Sequence, residues 1–191
     1  MSSCIRVIIG LGNPGPKYEL TRHNVGFWFV DALIQQFGVT LRYEQKFLGD
    51  VAKMSVSGQE IWLLKPHTYM NHSGQSVSAL VRFYKIPVEN ILVVHDELDL
   101  PPGVMRLKQG GGHGGHNGLR DIVSHLSSKE FQRLRVGIGH PGNSSQVVDY
   151  VLGRASKHDQ TAITEGMDKA MALMPQIVTG ETQKAMNELH S

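Results

Sequence analysis

The chain has 191 residues, a formal net charge of +2 and one cysteine. This length suits a single domain over residues 1–191 with a core that needs neither disulfide nor structural metal, and one cysteine excludes an internal disulfide and indicates a reducing compartment. No apolar run approaches the roughly 18 residues of a membrane helix, and the N-terminus lacks the apolar region of a secretory signal peptide. We therefore expect a cytoplasmic protein that does not enter a membrane.

Strand-like runs and helical stripes alternate along the chain. The apolar runs typical of strands lie at residues 5–11, 47–56, 59–65, 91–94, 104–108 and 134–138. Helical spacing of apolar residues predicts helices at residues 30–37, 77–84, 119–126 and 163–178. Ser73 is the expected N-cap of the second helix, and Ser156 with Asp159 resembles a capping box before the last one.

The order of these elements predicts the fold class. Strands that alternate with helices indicate an α/β three-layer sandwich in one domain, with helices on both faces of a twisted sheet. Ser57-Gly58 between the second and third runs is a hairpin signal, which makes an all-parallel sheet unexpected. We therefore predict a mixed sheet that is mostly parallel.

Polar residues follow the predicted strands at similar places. Asn13 follows the first strand, Asn71 the strand that ends near Lys65, and Asp96 the strand at 91–94, while Asn117 lies in a glycine-rich loop before a helix. In open α/β sheets, ligands gather at the carboxyl ends of the strands. These four residues are therefore expected to meet in one crevice.

The first glycine motif imitates a dinucleotide-binding fingerprint. Gly10-Leu-Gly12-Asn-Pro-Gly15 matches G-x-G-x-x-G after a strand. The fingerprint needs a helix that starts within the turn, whereas Pro14, Gly15 and Pro16 oppose an early helix. Dinucleotide binding is therefore not expected.

His23 and Asp96 are candidates for acid–base chemistry. A neutral imidazole can take a proton from water near neutral pH, and a carboxylate just past a buried strand can fix the tautomer of that imidazole. From the local sequence alone, His23 could equally pack at a helix start, and Asp96 could belong to an acidic turn or bind a divalent metal. Asn71 could donate a hydrogen bond to a substrate carbonyl oxygen, or stabilise a turn.

Residues 103–136 contain six lysines and arginines against two acidic residues. The glycine-rich stretch from Gly110 to Gly118 lets the backbone approach a large ligand, and the following helix offers free N–H groups. This combination predicts a phosphate-rich ligand, held by Arg106, Lys108 and Arg133 among others. An ordinary solvated surface remains an alternative, and His113 with His116 could also ligate zinc.

Several ordered blocks resemble one known family. They read GLGNPGPKYELTRHNVGF from Gly10, KPHTYMNHSG from Lys65, VHDELDLPPG from Val94 and RLKQGGGHGGHNGLR from Arg106, with RVGIGHPG from Arg135. With these blocks, the chain closely resembles bacterial peptidyl-tRNA hydrolases. The resemblance implies hydrolysis of the ester between a peptide and the 3′ ribose of tRNA, by a cytoplasmic monomer that needs no metal or cofactor.

The resemblance also implies roles for individual residues. His23 would accept the proton, Asp96 would support its basic form, and Asn13 would help to distinguish N-blocked from free aminoacyl-tRNA. The remaining residues assigned to substrate or tRNA binding are Tyr18, Tyr69, Met70, Asn71, Asn117, Arg106, Lys108, His116 and Arg133.

Two other functions remain open at this point. One is a metal-dependent hydrolase or phosphodiesterase that uses Asp96, Asp99, His113 and His116. The other is an RNA-binding module without catalysis, in which His23 would have no chemical role.

Overall fold

The computed structural model describes residues 3–191. Its strands are β1 (Val7–Gly10), β2 (Arg42–Glu44), β3 (Gly49–Val56), β4 (Gln59–Pro66), β5 (Ile91–Glu97), β6 (Met105–Gln109) and β7 (Gln132–Gly137). Its α-helices are α1 (Val25–Phe37), α2 (Ser73–Phe83), α3 (Asn117–Leu126), α4 (Val147–Val151), α5 (Lys157–Ala172), α6 (Met174–Val178) and α7 (Thr182–Leu189). Within residues 3–191, no helix has the length and apolar character to cross a membrane.

The strands form one sheet in the order β2-β3-β4-β1-β5-β7-β6. The four central strands are parallel, whereas β2 and β3 at one edge and β6 at the other run antiparallel to their neighbours. One face packs against α1 and α5–α7, and the opposite face packs against α2 and α3. The predicted three-layer α/β sandwich with a mixed, mostly parallel sheet is therefore confirmed, as is the hairpin at Ser57-Gly58.

Glycines bring the first helix unusually close to the first strand. A Cβ atom at Gly10 would collide with the backbone carbonyl oxygen of Gly26, and one at Gly26 would collide with the backbone of Leu11. Because neither residue has a Cβ atom, the start of α1 lies directly against the end of β1. This contact places the residues before α1, among them His23, at the carboxyl edge of the sheet.

Two local predictions were wrong. The apolar stripe over 163–178 forms two helices, α5 and α6, because Pro175 in the first turn of α6 cannot continue the hydrogen bonding of a preceding helix. His72, not Ser73, occupies the N-cap of α2, and the Ser73 hydroxyl donates instead to the Met70 carbonyl. The cap at Ser156 is confirmed, since its hydroxyl accepts from the Asp159 N–H.

Candidate active site

A carboxylate between two imidazoles forms the centre of the site. Asp96, near the end of β5, accepts hydrogen bonds from His23 Nδ1 on Oδ2 and from His116 Nε2 on Oδ1, each at 2.8 Å. Asp96 was expected just after the strand at 91–94. Strand β5 instead continues to Glu97, so Asp96 lies within it. The three side chains are at most 12% exposed. The cluster is therefore both tightly hydrogen-bonded and shielded from solvent.

The hydrogen bonds define the proton positions in this cluster. His116 caps α3, and its Nδ1 accepts from the Leu119 N–H at 3.3 Å, so the ring proton must be on Nε2, facing Asp96. His23 Nδ1 also faces the Asp96 carboxylate and carries the proton of that hydrogen bond. The Nε2 atom of His23 makes no hydrogen bond within residues 3–191. A neutral His23 therefore presents an unprotonated nitrogen that can accept a proton.

Burial and charge act in opposite directions on these groups. Burial lowers the pKa of His23, but the charge of Asp96 and its hydrogen bond outweigh burial and leave the pKa above the ordinary 6.5. Burial raises the pKa of Asp96, but the two histidines that donate to it hold the pKa far below its usual range. Asp96 is thus a permanent carboxylate, and it stabilises the imidazolium that forms when His23 takes a proton.

Asn13 is held in place by its backbone and by its side-chain oxygen. Its N–H donates to Asn24 Oδ1 and its carbonyl accepts from Asn24 Nδ2, each at 2.9 Å, while its Oδ1 accepts from the Met70 N–H at 2.6 Å. Asn24 immediately follows His23, so this pairing ties Asn13 to the segment that carries the imidazole, and both residues line the same cavity. Because Oδ1 is already bonded, the amide orientation is set and Nδ2 remains as a donor.

These residues border one cavity of about 740 Å³. The sequence placed three asparagines and Asp96 in a common crevice, and all four line this cavity together with His23. Asn71 and Asn117 are exposed at the cavity, whereas Met70 is 4% exposed and forms part of its wall. Other residues that line the cavity are Tyr69, His95, Leu98, His113, His140, Val148, Val151 and Leu152. The predicted crevice is therefore present.

Two aromatic residues stand beside the cavity in different positions. Tyr69 is 58% exposed and lines the cavity, whereas Tyr18 contacts the Tyr69 ring edge-on, with 6.2 Å between ring centroids. The expected pair of substrate-contacting tyrosines is thus adjacent in space, with only Tyr69 facing the cavity directly.

The basic segment divides into buried and exposed residues. Arg106 and Lys108 lie on the edge strand β6 and are exposed. Arg133 on β7, which faces Lys108 across the strand pair, is 2% exposed and donates to the carbonyl oxygens of Gly111, Gly112 and Lys129. The expectation that Arg133 contacts tRNA phosphates is therefore corrected, because its guanidinium supports the glycine-rich loop from inside.

The glycine-rich loop is shaped by backbone conformation. Gly110, Gly111, Gly114 and Gly115 all have positive φ, between 57° and 102°, a region that residues with a Cβ rarely adopt. Arg133 holds the first part of this loop, and His116 begins α3 after it. The glycines therefore allow the chain to turn sharply, which places His116 within hydrogen-bonding distance of Asp96. The sequence had suggested only that these glycines let the backbone approach a ligand closely.

His95 and helix α4 were not predicted to take part in the site. His95 is 3% exposed, its Nδ1 donates to the Asp96 carbonyl, and its ring lies edge-on to His116. Burial, and the nearby His116, lower the pKa of His95 to about 3, so it is neutral. Val148 on α4 and Leu152 directly after it remain exposed at the cavity. A five-residue helix gives too short a periodicity to be found from sequence.

A metal ion could be considered at the central cluster. His23, Asp96 and His116 each offer a ligand atom, and these atoms lie within 4.8 Å of one another. The proton on His116 Nε2, required by its role as helix cap, opposes metal ligation by that atom. Within residues 3–191, Asp99 and His113 do not join this cluster, so the four-residue metal set considered from the sequence is not assembled.

Comparison with known proteins identifies the family. The family model for peptidyl-tRNA hydrolase matches residues 7–191. The chain belongs to the peptidyl-tRNA hydrolase family. It is 54% identical to a peptidyl-tRNA hydrolase of Coxiella burnetii over all 191 residues, which is 100% of both chains. A peptidyl-tRNA hydrolase of Marinomonas sp. is 54% identical over 187 residues, covering 97% of this chain and 96% of the relative.

Solved structures of peptidyl-tRNA hydrolases share the fold. The crystal structure of the Acinetobacter baumannii enzyme superposes with a TM-score of 0.95 at 50% identity, covering 98% of this chain and 95% of the other. Because the family match spans the first strand to the last residue, it includes His23, Asp96 and the three asparagines of the cavity.

Proposed function

We propose that His23 is the general base with which this peptidyl-tRNA hydrolase cleaves the ester between the peptide and the 3′ ribose of tRNA. The observation that carries this proposal is the open Nε2 atom of His23 at the cavity, while Nδ1 is hydrogen-bonded to Asp96. In this arrangement Nε2 takes a proton from water, and the resulting hydroxide attacks the ester carbonyl carbon. The imidazolium then returns its proton to the departing ribose oxygen.

The asparagines supply the polar contacts that this reaction needs. An Asn71 side-chain N–H that donates to the carbonyl oxygen would stabilise the charge that develops there, an effect of roughly 3 kcal/mol for one well-placed donor. General base catalysis by His23 adds about 10²–10⁴-fold. Asn71 and Asn117 line the same cavity as His23, which supports their assignment to the substrate's reactive end.

Asn13 is suited to distinguish blocked from free amino groups. An N-blocked residue carries an amide carbonyl that can accept from Asn13 Nδ2. A free aminoacyl ester carries an ammonium group instead, which has no acceptor for this donor. The fixed orientation of the Asn13 amide, set by the Met70 N–H, prevents the oxygen from turning toward the ammonium group. Asn13 thus favours peptidyl-tRNA over aminoacyl-tRNA.

The exposed basic residues of β6 and α3 suit the tRNA backbone. Arg106, Lys108 and Arg120 are all exposed, and cations of this kind bind phosphates without reading sequence. The family resemblance supports a single-domain protein that works as a monomer in the cytoplasm, without metal or cofactor.

The decisive experiment compares two substrates and three proteins in metal-free buffer with a chelator. Wild type is expected to cleave N-acetyl-aminoacyl-tRNA and to spare free aminoacyl-tRNA. His23→Ala is expected to lose about 10²–10⁴-fold in kcat while its tRNA affinity is retained. His158→Ala is the matched control, because His158 is exposed on α5.

Three results would contradict the proposal. Retained turnover in His23→Ala would remove the assigned base. Loss of wild-type activity on chelation, with recovery on adding a divalent metal, would favour the metal-dependent hydrolase. Tight tRNA binding by a wild-type protein that cleaves neither substrate would favour an RNA-binding module.

A further inference from the structure

A second cavity, of about 370 Å³, lies beside the catalytic one and shares Asn13 with it. We call it the acidic cavity. Its lining consists of Asn13, Pro14, Gly15, Glu19, Leu20, Asn24, Phe27, Trp28, Asp31, Asp50, Lys65, Pro66 and His67. Because Asn13 borders both cavities, the acidic cavity adjoins the catalytic one at this residue.

The acidic cavity lies on the opposite side of the catalytic centre from the basic residues. Asp50 on β3 lies opposite Lys65 on β4 in the antiparallel register. Both residues are therefore near the carboxyl end of β4. Arg106 and Lys108 lie on β6, the strand at the other end of the sheet order, with the β1 and β5 residues of the catalytic centre between them. If the tRNA lies on the β6 side and the ester lies at the catalytic centre, the peptide extends toward β3 and β4.

The lining combines apolar surface with negative charge. Phe27, Trp28 and the half-exposed Leu20 supply the apolar part, and the Trp28 indole N–H donates to the Glu19 carbonyl at 2.7 Å. The lining includes three acidic residues, Glu19, Asp31 and Asp50, against one lysine, and also contains His67.

Lys65 is already engaged within this lining. Its Nζ atom bonds Asp31 Oδ1 at 2.7 Å and lies 4.9 Å from the centre of the Phe27 ring. Asp31 is therefore compensated, whereas Glu19 and Asp50 make no ion pair within residues 3–191. The acidic cavity thus has an excess of negative charge beside an aromatic wall, which favours a side chain with a long apolar stem and a positive end.

We propose that the acidic cavity binds the side chain of the peptide residue that precedes the esterified one, and that it prefers lysine or arginine over glutamate there. This assignment rests on the proposed function, since it takes the position of the ester from His23. The aliphatic stem packs on Trp28 and the cation faces Glu19 and Asp50. An acidic side chain at the same position meets carboxylates and is disfavoured.

The test measures kcat/KM for three substrates that carry the same tRNA and the same esterified residue. One is N-acetyl-aminoacyl-tRNA, and the others are N-acetyl-dipeptidyl-tRNAs with lysine or glutamate before the esterified residue. The wild type is expected to prefer the lysine substrate over the glutamate one by about two- to fivefold, a range set by partly exposed charge pairs. The preference is expected to fall at high salt.

Variants assign this preference to the cavity. The double variant Glu19→Gln with Asp50→Asn is expected to bring the lysine-to-glutamate ratio close to one. Trp28→Ala should lower kcat/KM for the lysine substrate by a few-fold, whereas Glu165→Gln, an exposed carboxylate on α5, should leave the ratio unchanged. Turnover of N-acetyl-aminoacyl-tRNA, which lacks the preceding side chain, is expected to stay at wild-type level and serves as the control for folding.

The outcomes separate the two proposals. A wild-type ratio of one or below, or a ratio that is unchanged in the double variant, overturns the acidic cavity as a peptide site while the catalytic proposal stands. If wild type cleaves none of the three substrates, the proposed function itself is overturned.

Discussion

His23, Asp96 and His116 lie within hydrogen-bonding distance in a shielded cluster, whereas Arg106 and Lys108 project from an edge strand into solvent. In the cluster, each ring proton has one position because both carboxylate oxygens and every ring nitrogen except the open Nε2 of His23 have a defined partner. At the edge, the charges act through a screened field in which no single position decides the result. Substitutions in the cluster should therefore have large effects, while those at the edge should be small and dependent on salt.

Asp96→Asn should give the largest effect in this comparison. His116 can only donate to residue 96, so the asparagine oxygen would turn toward His116 and its NH₂ group toward His23. His23 Nδ1 would then accept a hydrogen bond, and the ring proton would move to Nε2, where the base is needed. We expect kcat to fall by about 10²–10⁴-fold, as for the loss of a general base.

The pH profile provides a second measurement on the same variant. In wild type, kcat/KM should decline below the raised pKa of His23, because only the neutral imidazole accepts a proton. Without the Asp96 charge, burial dominates and lowers that pKa, so the acid limb of the Asp96→Asn profile should move to lower pH. An acid limb at the wild-type position would contradict the assignment of this limb to His23.

Substitutions of His116 should have a smaller effect on kcat. Two of them separate its role as helix cap from its hydrogen bond to Asp96. His116→Asn keeps a residue type that caps helices well, but loses the imidazole donor to Asp96, whereas His116→Ala loses both. We expect both variants to lose about tenfold in kcat, since a hydrogen bond to a charged group contributes roughly 1.5–3 kcal/mol and only part of it acts on the transition state. Both variants should lose stability because the buried Asp96 carboxylate loses a donor, and the alanine variant should lose about 1 kcal/mol of unfolding free energy more than the asparagine variant. Equal stability losses would argue against the cap.

Arg133 and Lys108 lie opposite each other on β7 and β6, and they allow a buried, hydrogen-bonded cation to be compared with an exposed one. Arg133→Met leaves the carbonyl groups of Gly111, Gly112 and Lys129 without their donor, so we expect the unfolding free energy to fall by about 2–4 kcal/mol. Lys108→Met, one strand away on the exposed edge, should change it by less than about 0.5 kcal/mol. Denaturant titration of both variants measures the difference. Similar losses in the two variants would show that Arg133 has no special structural role.

The same pair shows what the sequence could predict. Hydrophobic periodicity located most strands and helices because burial imposes a period of two or about 3.6 residues. Charge counts also identified the basic segment, yet they could not reveal that Arg133 turns inward. Its partners are backbone carbonyls of the glycine-rich loop, about 20 residues away, and carbonyl groups leave no trace in composition. The three-residue strand β2 was missed because its exposed residues carry no apolar pattern.

His23, Asp96 and the three asparagines at the cavity could be predicted, whereas His95, helix α4 and the proton positions could not. His23 and Asp96 are separated by 73 residues; side-chain chemistry indicated that such a carboxylate could orient an imidazole, and the family resemblance assigned Asp96 to His23. His116 was expected at the substrate, yet its bond to Asp96 depends on the positive-φ glycines before it and on its place at the start of α3. Such a bond arises from long-range packing, which local sequence does not encode.

The basic edge should give the smallest effects, visible mainly through salt. Lys108→Ala and Arg106→Ala should each weaken tRNA binding only a few-fold at moderate salt. Removing one cation that neutralises a phosphate should reduce the slope of log K against log salt concentration by about 0.7–0.9, because fewer counterions are released on binding. Lys157→Ala, an exposed lysine on α5, is the control. Unchanged slopes in both edge variants would place the tRNA elsewhere, and would remove the argument that orients the peptide toward the acidic cavity.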